Sequence, residues 1–276
     1  MRSKIPILAV LGRKSSGKTT VIEHLVSELL KRGFSVATSK HISHRDFSID
    51  TKGSDTWRHS SAGANPVIAV SSNEMSIIVK MKSPKIEVIP HLVQSFGANI
   101  LILEGFSSMV MDDKSVGKII CVRSLEEYKE FMESARGNVI AFCSFQEVGK
   151  PVIKISEDFP ILTEKTLGFI ERRLRILRIL DSLAGLDCGK CGRKTCEEMA
   201  EKIYLGEASM DECFPLRIKS ELSTRVSIDG RDVPLQPFVS EFMRKTVLGM
   251  ISSLKNVSIK GDEEIRIEVK GEKKSI

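Results

Sequence analysis

The chain has 276 residues, enough for one large or two ordinary domains with a substantial core. Hydrophobic content of 41% and charged content of 28% are those of a globular protein in water. No apolar run nears the roughly 18–20 residues that cross a bilayer, which excludes a protein spanning the membrane by helices. The formal net charge of +6 is mild for this length and suits an anionic ligand. No Lys/Arg block marks a nucleic-acid or lipid tract, so neither partner is expected.

Residues 1–6 run straight into a strand-like stretch without a cleavable signal pattern, and a cytosolic protein is expected. Residues 5–11 form a short apolar run. Val21, Ile22, Leu25, Leu29 and Leu30 then recur at helical spacing over residues 19–32, with Gly33 placed to stop the helix. Residues 34–39 read as a second strand. Further strands are expected over 66–70, 75–79, 100–103, 118–122, 139–142 and 152–155, and helices over 91–96 and 125–134. Strands alternating with helices predict an α/β domain with a mostly parallel sheet covered on both faces.

The pattern changes after about residue 160. Residues 162–183 read as one long basic helix leaving the first domain. A cysteine-rich segment follows, with a short helix over 197–205. Residues 225–235 read as a hairpin turning at Asp229-Gly230, and residues 238–254 as an amphipathic helix. Ile265, Ile267 and Val269 alternate as a last strand. The expected organisation is a nucleotide-binding domain over 1–160, a connecting helix over 161–184 and a smaller α+β domain over 185–276.

Gly12-Arg13-Lys14-Ser15-Ser16-Gly17-Lys18-Thr19 matches G-x-x-x-x-G-K-[ST], with a strand before it and a helix after it. The glycines let the backbone curl so that successive N–H groups point inward at phosphate oxygens, and the helix N-terminus adds partial positive charge. Lys18 is placed to reach the β- and γ-phosphates and the Thr19 hydroxyl to hold Mg²⁺. A second acidic group is needed near the metal. Glu104, after four apolar residues and before Gly105, is the candidate at the ligand edge of the sheet. The polar stretch from Lys40 to His59 follows a strand and reaches the same edge. Its side chains could order around Mg²⁺ and phosphate, form a metal site, or be a solvated loop.

Gly12 to Thr20, Lys40-His41, His44, Asp50, Gly53, Asp55, Arg58, Ala62-Gly63-Ala64 and Glu104-Gly105 together resemble the molybdopterin-guanine dinucleotide biosynthesis protein B family, over roughly the first 160 residues. The resemblance implies a P-loop GTPase-like fold, Mg–GTP as ligand, and assistance to the attachment of a guanine nucleotide to molybdopterin. It also implies a homodimer and, as partner, a molybdopterin guanylyltransferase or molybdoenzyme maturation protein. By the same resemblance Asp50 and Asp55 become candidates for the metal and nucleotide site, with Asp50 the alternative to Glu104 as the acidic group on Mg²⁺, and Thr20, Lys40, His41 and Arg58 join the nucleotide-site candidates. No Asn-Lys-x-Asp guanine signature is present, so GTP over ATP rests on the resemblance. Intrinsic hydrolysis is expected to be slow, because neither an arginine finger nor a water-orienting residue can be named; Arg13 and Lys14 are only candidates.

Of six cysteines, Cys121 and Cys143 stand alone in strand-like surroundings and read as buried small hydrophobes. Cys188, Cys191, Cys196 and Cys213 fall within 26 residues at spacings of two, four and sixteen. In a reducing compartment such clustering points to metal. Zinc is the competing reading, although zinc ribbons favour two C-x-x-C pairs and only one is present. The Asp187-Cys-Gly-x-Cys-Gly-x-x-Thr-Cys run, with Ala200, Gly206-Glu207-Ala208 and Cys213, is similar to the [4Fe–4S] domain of corrinoid iron–sulfur proteins, which implies that cluster here. It could carry electrons, sense redox state or staple a small domain.

The leading expectation is a GTP-binding accessory protein of molybdenum or tungsten cofactor maturation that carries an iron–sulfur domain. The alternatives are an ATP-dependent redox protein in which nucleotide binding gates electron transfer, and a metal-stapled binding module with a vestigial P-loop.

Overall fold

An unbroken run such as Ile-Leu-Ala-Val-Leu has no polar side chain to turn toward water, so it belongs in a strand covered on both faces. In the computed structural model, which describes residues 3–44, 47–81, 86–217, 224–254 and 265–267, that run is the middle of a six-stranded sheet. The elements of the first part are, in order, β1 (Ile7–Gly12), α1 (Lys18–Lys31), β2 (Val36–Lys40), α2 (Asp55–Ser61), β3 (Val67–Val70), β4 (Met75–Ile78), α3 (Val88–Ser95), β5 (Ile100–Glu104), α4 (Ser107–Val110), β6 (Val116–Cys121), α5 (Leu125–Ser134), β7 (Val139–Ser144), β8 (Ile153–Lys154) and α6 (Ile155–Ser182). The sheet order is β2-β5-β1-β6-β7-β8, and every neighbouring pair is parallel.

Because side chains alternate across a strand, parity sorts the core into two layers. Leu8, Val10, Ile100, Ile102, Ile119 and Cys121 pack with α1 and α6. Ile7, Ala9, Leu11, Leu101, Leu103 and Ile120 face the other way and pack with residues of α3, α4 and α5. Lys118 is fully buried in β6; its Nζ donates to the carbonyls of Asp113 (2.6 Å) and Val116 (3.3 Å), and burial pushes its pKa down.

β3 and β4 do not join this sheet. They pair antiparallel as a separate hairpin, with Ile68 opposite Ile77 and Val70 opposite Met75. The helix expected over 162–183 starts earlier, at Ile155, and is non-helical at Asp158, two residues before Pro160. Its Leu162, Phe169 and Ile170 lie in the first core.

The chain divides into two compact units, Met1–Leu177 and Arg178–Ile276. The second contains α7 (Cys196–Tyr204), α8 (Phe214–Arg217), β9 (Val226–Ile228), β10 (Arg231–Val233) and α9 (Pro237–Ser252). β9 and β10 form the expected antiparallel hairpin, and Asp229 and Gly230 both have the positive φ that a type I′ turn requires. Buried Ser240 of α9 ties in the approach to β9: its Oγ accepts from the Thr224 N–H (3.1 Å), and Thr224 Oγ1 donates to the Ser240 carbonyl (2.9 Å). Of the expected last strand, residues 265–267 carry no regular structure and Val269 lies outside the described residues. No helix among the described residues is long and apolar enough to cross a membrane.

Candidate functional site

The strand register aligns the carboxyl ends of four strands. Glu104 of β5 is level with Val10 of β1 and with Lys40 of β2, while Gly12 is level with Cys121 of β6. The chain leaving β1 must turn sharply there to start α1. Gly12 and Gly17 take φ of 140° and 85°, and Ser15 takes 60°. The space is as tight as the backbone. A Cβ on Gly12 would overlap the Cys121 carbonyl oxygen, and one on Gly17 would overlap the Phe145 ring.

The 14-residue helix α1 begins at Lys18 with no acidic side chain of its own in the first turn, and its positive dipole end faces the loop. Lys18 Nζ reaches back across the loop to the Arg13 carbonyl at 2.7 Å. Ser16 Oγ is buried and has no hydrogen-bond partner among the described residues. An orphaned buried hydroxyl, a lysine spanning the loop and the N-terminus of α1 fit a group with several acceptor oxygens lying against the backbone, such as a polyphosphate. Thr20 is exposed in the first turn of α1.

Glu104 gathers the polar side of this edge. Its Oε1 accepts from Thr19 Oγ1 at 3.3 Å and lies 2.8 Å from Lys40 Nζ. The His41 N–H donates to the Glu104 carbonyl at 3.0 Å, and the His41 ring lies 5.2 Å from the Phe106 ring. A hydroxyl and a carboxylate so close together could hold a divalent cation through oxygen. Lys40 would balance the charge when no cation is there.

Asp50, Asp55 and Arg58 are used differently. Asp50 accepts from Ser54 Oγ (2.7 Å) and Thr56 Oγ1 (2.9 Å), and the Ser54 hydrogen bond, with smaller help from Thr56, holds its carboxyl below the usual range. Asp50 thus braces the start of α2, which Ser54 caps through the Trp57 N–H. Asp55 and Arg58 are exposed and pair with each other at 3.6 Å on that helix. The short α2 itself is hidden in a sequence whose charges suggest a loop.

Two residues on the far side of the loop escape sequence reasoning. Arg123 lies just past β6; its Nε donates to Glu127 Oε1 at 2.8 Å, Nη2 makes a further bond to the same oxygen, and Nη1 reaches the Lys14 carbonyl at 3.5 Å. Arg13 extends to Glu130 (2.5 Å) and toward Glu127 (3.8 Å). Glu127 is buried, and the Arg123 guanidinium holds its carboxyl below the ordinary range. The signal was available: Ser124-Leu-Glu-Glu127 is a capping-box pattern that fixes Glu127 at the start of α5.

In the second unit Cys188, Cys191, Cys196 and Cys213 line one pocket, with Met199 and Phe214 among its apolar walls. The Asp187 N–H donates to Cys196 Sγ at 3.4 Å, and Asp187 Oδ1 accepts from the Cys196 N–H at 2.7 Å. Thr195 caps α7 through the Glu198 N–H, so Cys196 opens that helix. Burial pushes the Cys196 thiol up. Among the described residues, no three His, Cys, Asp or Glu side chains stand placed to hold a single metal ion. Four sulfurs around one mostly apolar pocket, one of them already accepting a backbone N–H, fit a thiolate-bound centre. Cys121 and Cys143 are not part of it; they are buried on neighbouring strands with their sulfurs 3.7 Å apart.

A family model for molybdopterin guanine dinucleotide synthesis protein B matches residues 7–145, half of the chain. The chain belongs to that family. The matched span holds Gly12 to Thr20, Lys40, His41 and Glu104, the residues that the fold brings to one edge. A second model, described as "Putative Fe-S cluster", matches residues 183–215 and contains all four clustered cysteines. A Methanocaldococcus jannaschii protein called "Putative molybdopterin-guanine dinucleotide biosynthesis adapter protein" is 26% identical over 264 residues, covering 95% of this chain and 97% of its own length. The molybdopterin-guanine dinucleotide biosynthesis adapter protein of Haemophilus influenzae is 28% identical over 185 residues, 66% of this chain and 91% of its own. Among solved structures, Bacillus subtilis MobB aligns over 60% of this chain and 98% of its own, at 23% identity and a TM-score of 0.46.

Proposed function

We propose that this member of the protein B family is a GTP-binding adapter for the attachment of a guanine nucleotide to molybdopterin, with a [4Fe–4S] cluster in its second unit. The observation that carries the reading is the meeting of the Gly12–Thr19 loop with Glu104 and Lys40 at one sheet edge, inside the matched span. In this reading the loop N–H groups, Ser16 and Lys18 hold the nucleotide's phosphates, and Thr19 and Glu104 hold Mg²⁺. The ion's contribution, when bound, is to neutralise phosphate charge. Arg13, Lys14, Ser15, Thr20, Lys40 and His41 frame the same edge; Asp50, Asp55 and Arg58 support it through α2.

Cys188, Cys191, Cys196 and Cys213 would ligate the cluster, which supplies a one-electron redox couple. The apolar wall of their pocket and the Asp187 N–H to Cys196 Sγ bond support that assignment. The partner is a molybdopterin guanylyltransferase that receives the held nucleotide. A homodimer is supported by the β3–β4 hairpin, where the paired Ile68 and Ile77 are 53% and 38% exposed and Val70 and Met75 are 72% and 52% exposed.

The test is reconstitution. Anaerobically purified protein is added to a purified guanylyltransferase with molybdopterin, Mg²⁺ and GTP, and formation of the dinucleotide is followed. Wild type should raise the yield and Lys18→Ala should not. Equal yields with wild type, with Lys18→Ala and with no added protein would overturn the adapter reading.

A further inference from the structure

The four-cysteine pocket has one cationic wall. Arg193, between Cys191 and Cys196 in the chain, lines the same pocket. Its side chain is 28% exposed, and at the outer end Nη2 lies 4.0 Å from Glu212 Oε2. Its Nε is different: the atom is buried and has no hydrogen-bond partner among the described residues. Buried N–H donors almost always have acceptors, and leaving one unpaired is destabilising. The guanidinium is permanently charged, so the cost cannot be relieved by losing a proton.

We propose that Arg193 is a positioning residue of the cluster site, donating its Nε–H to a sulfur of the bound iron–sulfur cluster and thereby raising the cluster's reduction potential. The proposal rests on the cluster reading given above. Iron–sulfur potentials follow net charge, hydrogen bonds to the sulfurs and solvent exposure. A cation and an N–H directed at sulfur both favour the more negative, reduced state. Only Nη2 approaches Glu212, at 4.0 Å, so Nε is left without an acceptor in a residue that lines the pocket. Lys190 and Arg217 are set otherwise, each lying over the Phe214 ring at 5.6 and 5.5 Å, so neither replaces Arg193 as an inward donor.

The experiment uses the full chain, purified without oxygen as wild type, Arg193→Met and Arg193→Lys. Iron and acid-labile sulfide are assayed first, and the reduction midpoint is then read by potentiometric titration followed by electron paramagnetic resonance. Wild type with iron and sulfide keeps the cluster reading; wild type holding zinc and no sulfide overturns that reading and the proposal with it. Given a cluster, the midpoint should fall in Arg193→Met, and by less in Arg193→Lys, which keeps the charge and loses the Nε donor. Equal midpoints in wild type and Arg193→Met would overturn the role of Arg193 and leave the cluster standing. If Arg193→Met takes up no iron, Arg193→Lys decides: a lowered midpoint supports the proposal and an unchanged one ends it.

Discussion

Lys40 Nζ lies 2.8 Å from Glu104 Oε1, the same oxygen that accepts the Thr19 hydroxyl at 3.3 Å. A Mg²⁺ ion held by Thr19 and Glu104 must therefore compete with an ammonium for one carboxylate oxygen. Partly exposed ion pairs are worth up to about 1 kcal/mol, which corresponds to a roughly fivefold change in an equilibrium constant. Lys40→Met should tighten Mg²⁺ binding to the nucleotide-free protein by about that factor. Glu104→Gln should weaken it tenfold or more, because a charged ligand oxygen is lost. Both are read by titrating the free protein with Mn²⁺ as a spectroscopic stand-in. Weaker binding in Lys40→Met would contradict competition at this oxygen.

Gly12 and Gly168 make a controlled pair. At Gly12 a Cβ meets the Cys121 carbonyl and φ is 140°, so neither space nor backbone accepts alanine. Gly168 lies inside α6, where a Cβ meets nothing within 4 Å. Gly12→Ala should destabilise the first unit by more than about 1 kcal/mol and abolish nucleotide binding. Gly168→Ala should leave binding intact and stabilise by about 0.5–1 kcal/mol. Urea unfolding reads the two stabilities and calorimetry with Mg²⁺ and GTP reads binding; wild-type values in Gly12→Ala would contradict a tight turn at that position.

Glu127 gives the pH prediction. The Arg123 bonds depress its folded pKa below the ordinary value of 4.5. A depressed carboxylate contributes stability that is full above the unfolded value and is lost as pH falls through the folded one. Wild type should therefore lose stability as the medium is acidified below about 4.5, and Glu127→Gln should lose less over the same range. At neutral pH the variant should be less stable by about 1–3 kcal/mol, because a charged hydrogen-bond acceptor is gone. Thermal melts between pH 3 and 7 compare the two slopes. Parallel curves would remove Glu127 from the acid dependence.

The second unit should depend on its metal centre. Among its described residues few are covered, Met199, Ala200 and Cys213 being among them. Coupling of ligation to folding is common in such small units. Stripping the centre with a chelator under anaerobic conditions should expose residues 183–215 to protease, and Cys196→Ala should do the same without chelator. Identical digestion patterns before and after stripping would show the unit to be self-supporting.

The sheet is legible because its central strands, Leu8 to Leu11 and Ile100 to Leu103, are short runs apolar on both faces and bounded by turn residues. The loop Gly12 to Thr19 was legible because its spacing is a backbone requirement. The hairpin turn at Asp229-Gly230 was legible for the same reason. The β3–β4 pair is legible as two strands but not as a separate sheet, since pairing partners leave no local mark. α2 was lost among charges, because Ser54 and Asp50 organise its start through side-chain bonds that composition does not reveal. Arg123 and Glu127 were missed because they approach the loop from β6 and α5, over a hundred residues away in the chain. A contact of that kind is set by strand order, which the sequence does not print.

The most direct test is calorimetric titration of the anaerobically purified protein with GTP and with ATP, each with Mg²⁺, for wild type and Lys18→Ala. Micromolar binding of GTP, much weaker binding of ATP, and loss of the GTP signal in Lys18→Ala are expected if the Gly12–Thr19 loop holds guanine nucleotide for transfer. A preference for ATP, or GTP binding undiminished in Lys18→Ala, would contradict it.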